Sequence, residues 1–181
     1  MSMEVRILGR DDFEGVYAIL EESFPPDERR TKREQRTLLD DPRYSILGLC
    51  ENGAVCAFLA SWTLGEVVFI EHFAAKAEMR GRGLGSMLLR EFVKRHTKKR
   101  ICLEVEPKVD TLTASRIRFY ERNGFYLNPY PYVQPAMTRG RNAIPLCVMT
   151  CGAAVDRLEF CEIRRVLYTE IYHCPVPEDS L

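Results

Sequence analysis

The sequence predicts a single α/β (α+β) domain: a mixed central sheet of about six to seven strands flanked by helices, with an extra helix at the C-terminal end. Three observations lead there. Three strand-like runs joined by short turn signals precede any glycine-rich loop. An apolar run, a basic glycine-rich turn, an amphipathic run and an alternating run then follow, which reads as strand, loop, helix, strand. Past residue 150 the periodicity becomes helical again. A chain of 181 residues can bury one substantial core. The domain is read as 1–174, with a core of about 5–150, a helical extension of about 153–172 and a flexible tail at 175–181.

Composition narrows the function. Lys plus Arg and Asp plus Glu are 26 each, so the net charge is zero, which speaks against a general nucleic-acid binder. No apolar run reaches membrane-spanning length, and Met1-Ser2-Met3-Glu4-Val5-Arg6 lacks the apolar core of a signal peptide. The seven cysteines are odd in number, and no two have Cys-x-x-Cys spacing. Buried, reduced thiols in a cytoplasmic protein are the reading, with no metal site, because His72, His96 and His173 do not cluster with them.

Val5–Leu8 reads as the first strand. Arg10-Asp11-Asp12 is an acidic helix entry. Phe13, Val16, Tyr17, Ile19, Leu20 and Phe24 then recur at helical spacing until Pro25-Pro26 stops the helix. The dense charge of 27–41 reads as a second, more exposed helix with a solvated face. Asn52-Gly53 between two apolar runs is a strong hairpin signal, and Gly65 turns the chain into the strand at 67–74.

The stretch from Ala77 to Leu89 follows that strand and opens a helix lasting to about Thr97. Gly81, Gly83 and Gly85 permit tight turning and leave backbone N–H groups open at a helix N-terminus, where the dipole favours an anion. Arg80 and Arg82 can grip phosphate oxygens as forks. The reading is a pyrophosphate cradle; a surface turn with solvated arginines is the alternative. The Walker pattern is excluded because no lysine follows the glycines. The dinucleotide fingerprint is excluded because Ser86 stands where its third glycine belongs.

Leu84, Met87, Leu88, Phe92 and Val93 form the apolar stripe of the helix after the loop. Residues 101–106 alternate as a strand that Pro107 ends, and strand–helix–strand of this length implies a right-handed parallel crossover. Thr113 to Asn123 reads as a helix capped by Gly124. The proline- and tyrosine-rich segment 126–134 reads either as an acceptor pocket wall or as an irregular packed connection. Residues 144–150 read as a last strand, and 153–172 as a helix with one apolar face, packed on the sheet or supporting a homodimer.

Two motifs stand in order at compatible spacing: Arg80-Gly81-Arg82-Gly83-Leu84-Gly85, and Phe119-Tyr120 followed by Gly124-Phe125. Together they resemble the GNAT superfamily of N-acetyltransferases over most of the chain. The resemblance implies the GNAT fold and an acetyltransferase (an acyltransferase, hence a transferase). Such an enzyme uses acetyl-coenzyme A as co-substrate, needs no metal, and acetylates a primary amine of a small molecule, peptide or protein directly. It implies coenzyme contacts from Phe73, Ala74 and Ala75 at the end of the strand. From the loop it adds Arg80, Gly81, Arg82, Gly83, Leu84, Gly85 and Ser86, and from the later helix Arg116 and Phe119. Two positions depart from the family's pattern: its asparagine and alanine in that helix are Thr113 and Arg116 here. Tyr120 matches the acid that protonates the departing thiolate.

Two glutamates stand as candidate bases. Glu104 resembles the base of ribosomal-protein N-terminal acetyltransferases, and Glu71 lies near the end of the neighbouring strand, where an apolar setting makes a carboxylate conspicuous. Glu106 is a weaker candidate. His72 neighbours Glu71, but strand alternation points it to the opposite face. Arg139 and Arg141 read as surface arginines. The resemblance also places 25–43 on the acceptor side. The competing reading is a coenzyme A-binding sensor or interaction module without catalysis; a nucleotide-phosphate binder using the same loop is the third.

Overall fold

A computed structural model describes residues 3–177. The part of the expected tail at 178–181 lies outside them, and 175–177 carry no regular structure. Among the described residues are eight strands and five α-helices. They form two compact units. One comprises the chain up to Thr63 together with Ile70–Thr97, and the other comprises Leu64–Phe69 and the chain from Lys98 onward.

The strands β1 (Met3–Leu8), β2 (Tyr44–Glu51), β3 (Ala54–Leu64) and β4 (Val67–Ala75) are neighbours in that order, and the first unit holds β3 up to Thr63 and β4 from Ile70. The β2–β3 turn is Asn52-Gly53, both with left-handed backbone (φ 50° and 84°), the geometry that matches strand twist in a two-residue hairpin. In the β1–β2 ladder the Leu8 side chain covers Gly48: a Cβ there would lie 2.4 Å from Leu8 Cδ1. Helix α1 (Phe13–Ser23) buries Phe13, Val16, Tyr17, Ile19 and Leu20, the stripe read from the sequence. Helix α3 (Leu84–Arg95) buries Leu88, Leu89 and Phe92.

The charged run differs from its reading. It is one short helix, α2 (Lys32–Thr37), between two 3-10 turns, Pro26–Glu28 and Leu38–Asp40. Thr31 and Glu34 cap α2 reciprocally. The run is not a uniformly solvated face, since Arg30 and Gln35 are buried. Their partners explain why: Arg30 meets a buried carboxylate, described below, and Gln35 Nε2 donates to Tyr44 Oη at 2.7 Å.

In the second unit the order is β4, β5 (Arg100–Val105), β8 (Ile144–Cys151), β6 (Phe125–Leu127), with β7 (Tyr132–Gln134) also pairing β8. The strand count exceeds the expected six to seven because the proline- and tyrosine-rich segment adds the short strand β7 after β6. Three-residue strands of this kind are held by their partner: Leu127 pairs Met149, and Tyr132 pairs Leu146. Buried Asn128 fixes the link between them. Its Nδ2 donates to Val148 O and Thr150 Oγ1, both at 3.1 Å, and its Oδ1 accepts from Val155 N at 2.9 Å. Helix α4 (Thr111–Arg122) starts on a capping box between Asp110 and Thr113 and is closed by left-handed Gly124 (φ 84°). Helix α5 (Arg157–Glu170) starts on a second such box, Asp156 with Glu159, and buries Phe160, Ile163 and Leu167.

Candidate active site

In the first unit, β4 ends at Ala75 and a 3-10 turn (Ala77–Met79) leads into the glycine loop. Gly81 (φ 75°) and Gly83 (φ 76°) are left-handed, a conformation costly for other residues. A Cβ on either would meet nothing within 4 Å, so the backbone there faces open space that a ligand can approach. Gly85 lies inside the first turn of α3, so its use is not conformational. Gly83 is the N-cap of α3 and offers no side-chain acceptor to the first turn, formed by Leu84, Gly85 and Ser86. Arg80 Nε donates to Ala75 O at 3.1 Å, and Arg82 Nη1 approaches Met79 Sδ at 3.1 Å. The loop is thus braced against the end of β4, and Phe73, Ala74 and Ala75 stay half-buried beside it. An anion-seeking helix terminus with two arginines and open space over the glycines fits a pyrophosphate.

Upstream on β4, Glu71 is almost fully buried. Its Oε1 accepts from Arg30 Nη1 at 2.7 Å, and the two side chains are 1% and 8% exposed. His72 is also buried. Its Nε2 donates to Glu28 O at 2.8 Å, and its Nδ1 lies 3.5 Å from Glu71 Oε2. The expectation that His72 points away from Glu71 is therefore corrected. Both side chains are tethered to the same segment, 28–30, and this brings ring and carboxylate together. Phe24 packs edge-on to His72, with ring centres 4.9 Å apart. Burial works to raise the Glu71 carboxyl, but the Arg30 charge and the His72 contact outweigh it and hold the group at about 2. A carboxylate so stabilised is a feeble proton acceptor.

In the second unit, Tyr120 on α4 is buried, in edge contact with Phe119 (5.2 Å) and Phe125 (5.8 Å). Burial pushes its phenol up to about 12, slightly offset by the Arg116 charge, so the donor form persists at neutral pH. Arg116 is ion-paired with Glu106, which engages both residues with each other. Thr113, at the family's asparagine position, serves the helix cap: its Oγ1 accepts from Val109 N and Asp110 N, both at 3.1 Å. Phe119 is half-buried.

Glu104 on β5 is half-buried and accepts hydrogen bonds from two phenols. Tyr132 Oη donates to Oε1, and Tyr172 Oη lies 2.9 Å from Oε1 and 2.7 Å from Oε2. Sequence reasoning missed both tyrosines and Arg30. The signal for Tyr132 was the tyrosine-rich segment; nothing local marked the other two.

Comparisons with known proteins bear on family and fold. The sequence profile of the acetyltransferase (GNAT) family matches residues 13–125. YjbC of Bacillus subtilis (strain 168), assigned by name to the acetyltransferases, is 33% identical over 111 residues, covering 60% of this chain and 55% of that protein. The chain thus spans about half the length of that curated relative. A Bacteroides thetaiotaomicron protein described as a GNAT-family acetyltransferase superposes with a TM-score of 0.85 at 28% identity, covering 95% of this chain and 99% of the other. The fold is shared by the Thermoplasma acidophilum Paia N-acetyltransferase in complex with coenzyme A (TM-score 0.61, 18% identity, covering 83% of this chain and 99% of the other). Among the described residues no helix is long and apolar enough to cross a membrane.

Proposed function

Since the chain belongs to the acetyltransferase (GNAT) family, we propose that it transfers an acetyl group from acetyl-coenzyme A directly to a primary amine of a small molecule, peptide or protein. The observation that carries this reading is the α3 N-terminus, where left-handed Gly81 and Gly83 directly follow Arg80 and Arg82 and face open space. In this reading the loop from Arg80 to Ser86 holds the coenzyme's pyrophosphate, and the backbone of Phe73, Ala74 and Ala75 meets the pantetheine arm. Phe119 adds an apolar contact. Arg116 contributes charge only through its pair with Glu106.

The acceptor ammonium must lose a proton before it can attack, since a lysine-like amine has a pKa of about 10. Glu104 is assigned as the base. It is half-buried and oriented by two phenols, whereas Glu71 is tied to Arg30 and sits at about 2. The amine nitrogen bonds to the acetyl carbonyl carbon, the C–S bond breaks, and the sulfur takes a proton from Tyr120. Glu71 is assigned to anchoring segment 28–30 on β4. The seven thiols are unpaired, which suits a reducing compartment, and the cytoplasm is the assigned location.

The test is an acetyl-transfer assay on the purified protein, with acetyl-coenzyme A and a panel of polyamines, amino acids and short peptides, reading release of the free thiol. Turnover on at least one amine class is expected, abolished by Glu104→Gln. Coenzyme binding with no transfer to any amine would favour the sensor reading.

A further inference from the structure

The turn that ends α5 brings a tyrosine to the carboxylate of β5. Tyr172 N donates to Leu167 O (3.2 Å) and Cys174 N to Tyr168 O (3.0 Å), with left-handed His173 (φ 50°) between them. A non-glycine residue in that conformation is uncommon, and glycine is the usual choice at a helix C-terminus. His173 is fixed by its Nδ1, which donates to Thr169 O at 3.1 Å. The result is that Tyr172, 9% exposed, aims its hydroxyl at both oxygens of Glu104, 68 residues away in sequence.

The second phenol arrives by sheet register. Glu104 pairs Val148 and Tyr132 pairs Leu146. Val148 and Leu146 are two apart on β8 and share a face, so their partners do too. Tyr168 completes the surround. Its ring centre is 5.9 Å from that of Tyr132 and 6.4 Å from that of Tyr172, and its hydroxyl donates to Val133 O at 2.5 Å.

We propose that Tyr172, from the helical extension, and Tyr132 are positioning residues that orient Glu104 and keep it ionised for proton abstraction. The inference rests on Glu104 being the base. Both hydroxyls donate to the charged form of the carboxylate, and a donor to the charged form favours it. Tyr132 stays protonated for that role, because burial and then the charge of Glu104 push its phenol well up. The titratable groups that face Glu104 include Tyr132 from β7, Tyr168 from α5, Tyr172 from the turn after it and Cys102 from β5 itself. Both phenolic donors act against the cost of burying the carboxylate.

The sign follows. Removing a donor destabilises the carboxylate, raises its pKa and moves the acid limb of the rate profile to higher pH. The experiment compares wild type, Tyr172→Phe, Tyr132→Phe, the double variant and Glu104→Gln. It reads kcat/KM against pH and, independently of activity, the carboxyl ¹³C shift of Glu104 against pH, assigned with Glu104→Gln. Tyr172→Phe is expected to raise the acid limb and the NMR midpoint together by about one pH unit, with coenzyme affinity unchanged and a larger shift in the double variant. A lowered plateau with neither the limb nor the NMR midpoint moved would mean a packing role and overturn the inference, while inactive Glu104→Gln kept the base assignment. Full activity in Glu104→Gln would overturn the base assignment itself.

Discussion

Arg30→Met destabilises the protein by about 3–5 kcal/mol at pH 7, the usual consequence of leaving one member of a buried pair without its partner. The magnitude follows from burial: the carboxylate of Glu71 is 1% exposed, and its contact with Arg30 is direct, at 2.7 Å. Acid unfolding gives the sign. Glu71 is depressed to about 2 in the folded protein, against about 4.3 for an unfolded chain. Its contribution is therefore complete above the unfolded value and is lost as pH falls from about 5 towards 2, worth about 3 kcal/mol at 1.36 kcal/mol per pH unit. In Arg30→Met only the His72 contact still opposes burial, so Glu71 rises and the variant's deficit shrinks as the carboxyl protonates. Urea denaturation at pH 7 and at pH 4 reads both effects. The double variant Arg30→Met/Glu71→Gln should recover part of the loss at pH 7. A deficit below about 1 kcal/mol at pH 7 would show that the pair behaves like a surface ion pair. The same pair, with the hydrogen bond from His72 to Glu28 O, ties segment 28–30 to β4 directly ahead of Phe73.

Tyr120→Phe lowers kcat by about 100-fold and leaves acetyl-coenzyme A affinity within about twofold. General acids contribute about 10²–10⁴-fold, and the lower end is expected here. A phenol at about 12 is poorly matched to a thiolate of pKa about 8.5, so full transfer is uphill and much of the benefit is hydrogen bonding to the developing charge. The packing of the ring is retained in phenylalanine, including its edge contacts with Phe119 and Phe125. Single-turnover kinetics with a saturating amine separates this from product release. Wild-type turnover in the variant would remove Tyr120 from the acid role.

Much of the fold was legible because its signals are local. Asn52-Gly53 demands a particular turn, Gly83 a left-handed N-cap, and the stripe of α1 a buried face. The turning glycine loop ahead of α3 was legible too, because its conformation is set by backbone chemistry. What stayed hidden depends on partners far apart in sequence. Arg30 sits in a run of charges and differs from its neighbours only in meeting Glu71, 41 residues on. Tyr132 and Tyr172 reach Glu104 across 28 and 68 residues. Strand β7 is three residues long, too short for periodicity to register, and exists because β8 offers it a ladder. Thr113 shows the reverse: a departure from the family's pattern that the structure explains as a helix cap.

The most direct test of the acetyltransferase account is calorimetric titration of acetyl-coenzyme A, coenzyme A, ATP and NAD into wild type and Arg82→Glu/Gly83→Asp. The account expects saturable binding of both coenzyme A forms to wild type, loss of that binding in the folded variant, and no comparable affinity for ATP or NAD. Folded wild-type protein that takes up no coenzyme A would contradict it.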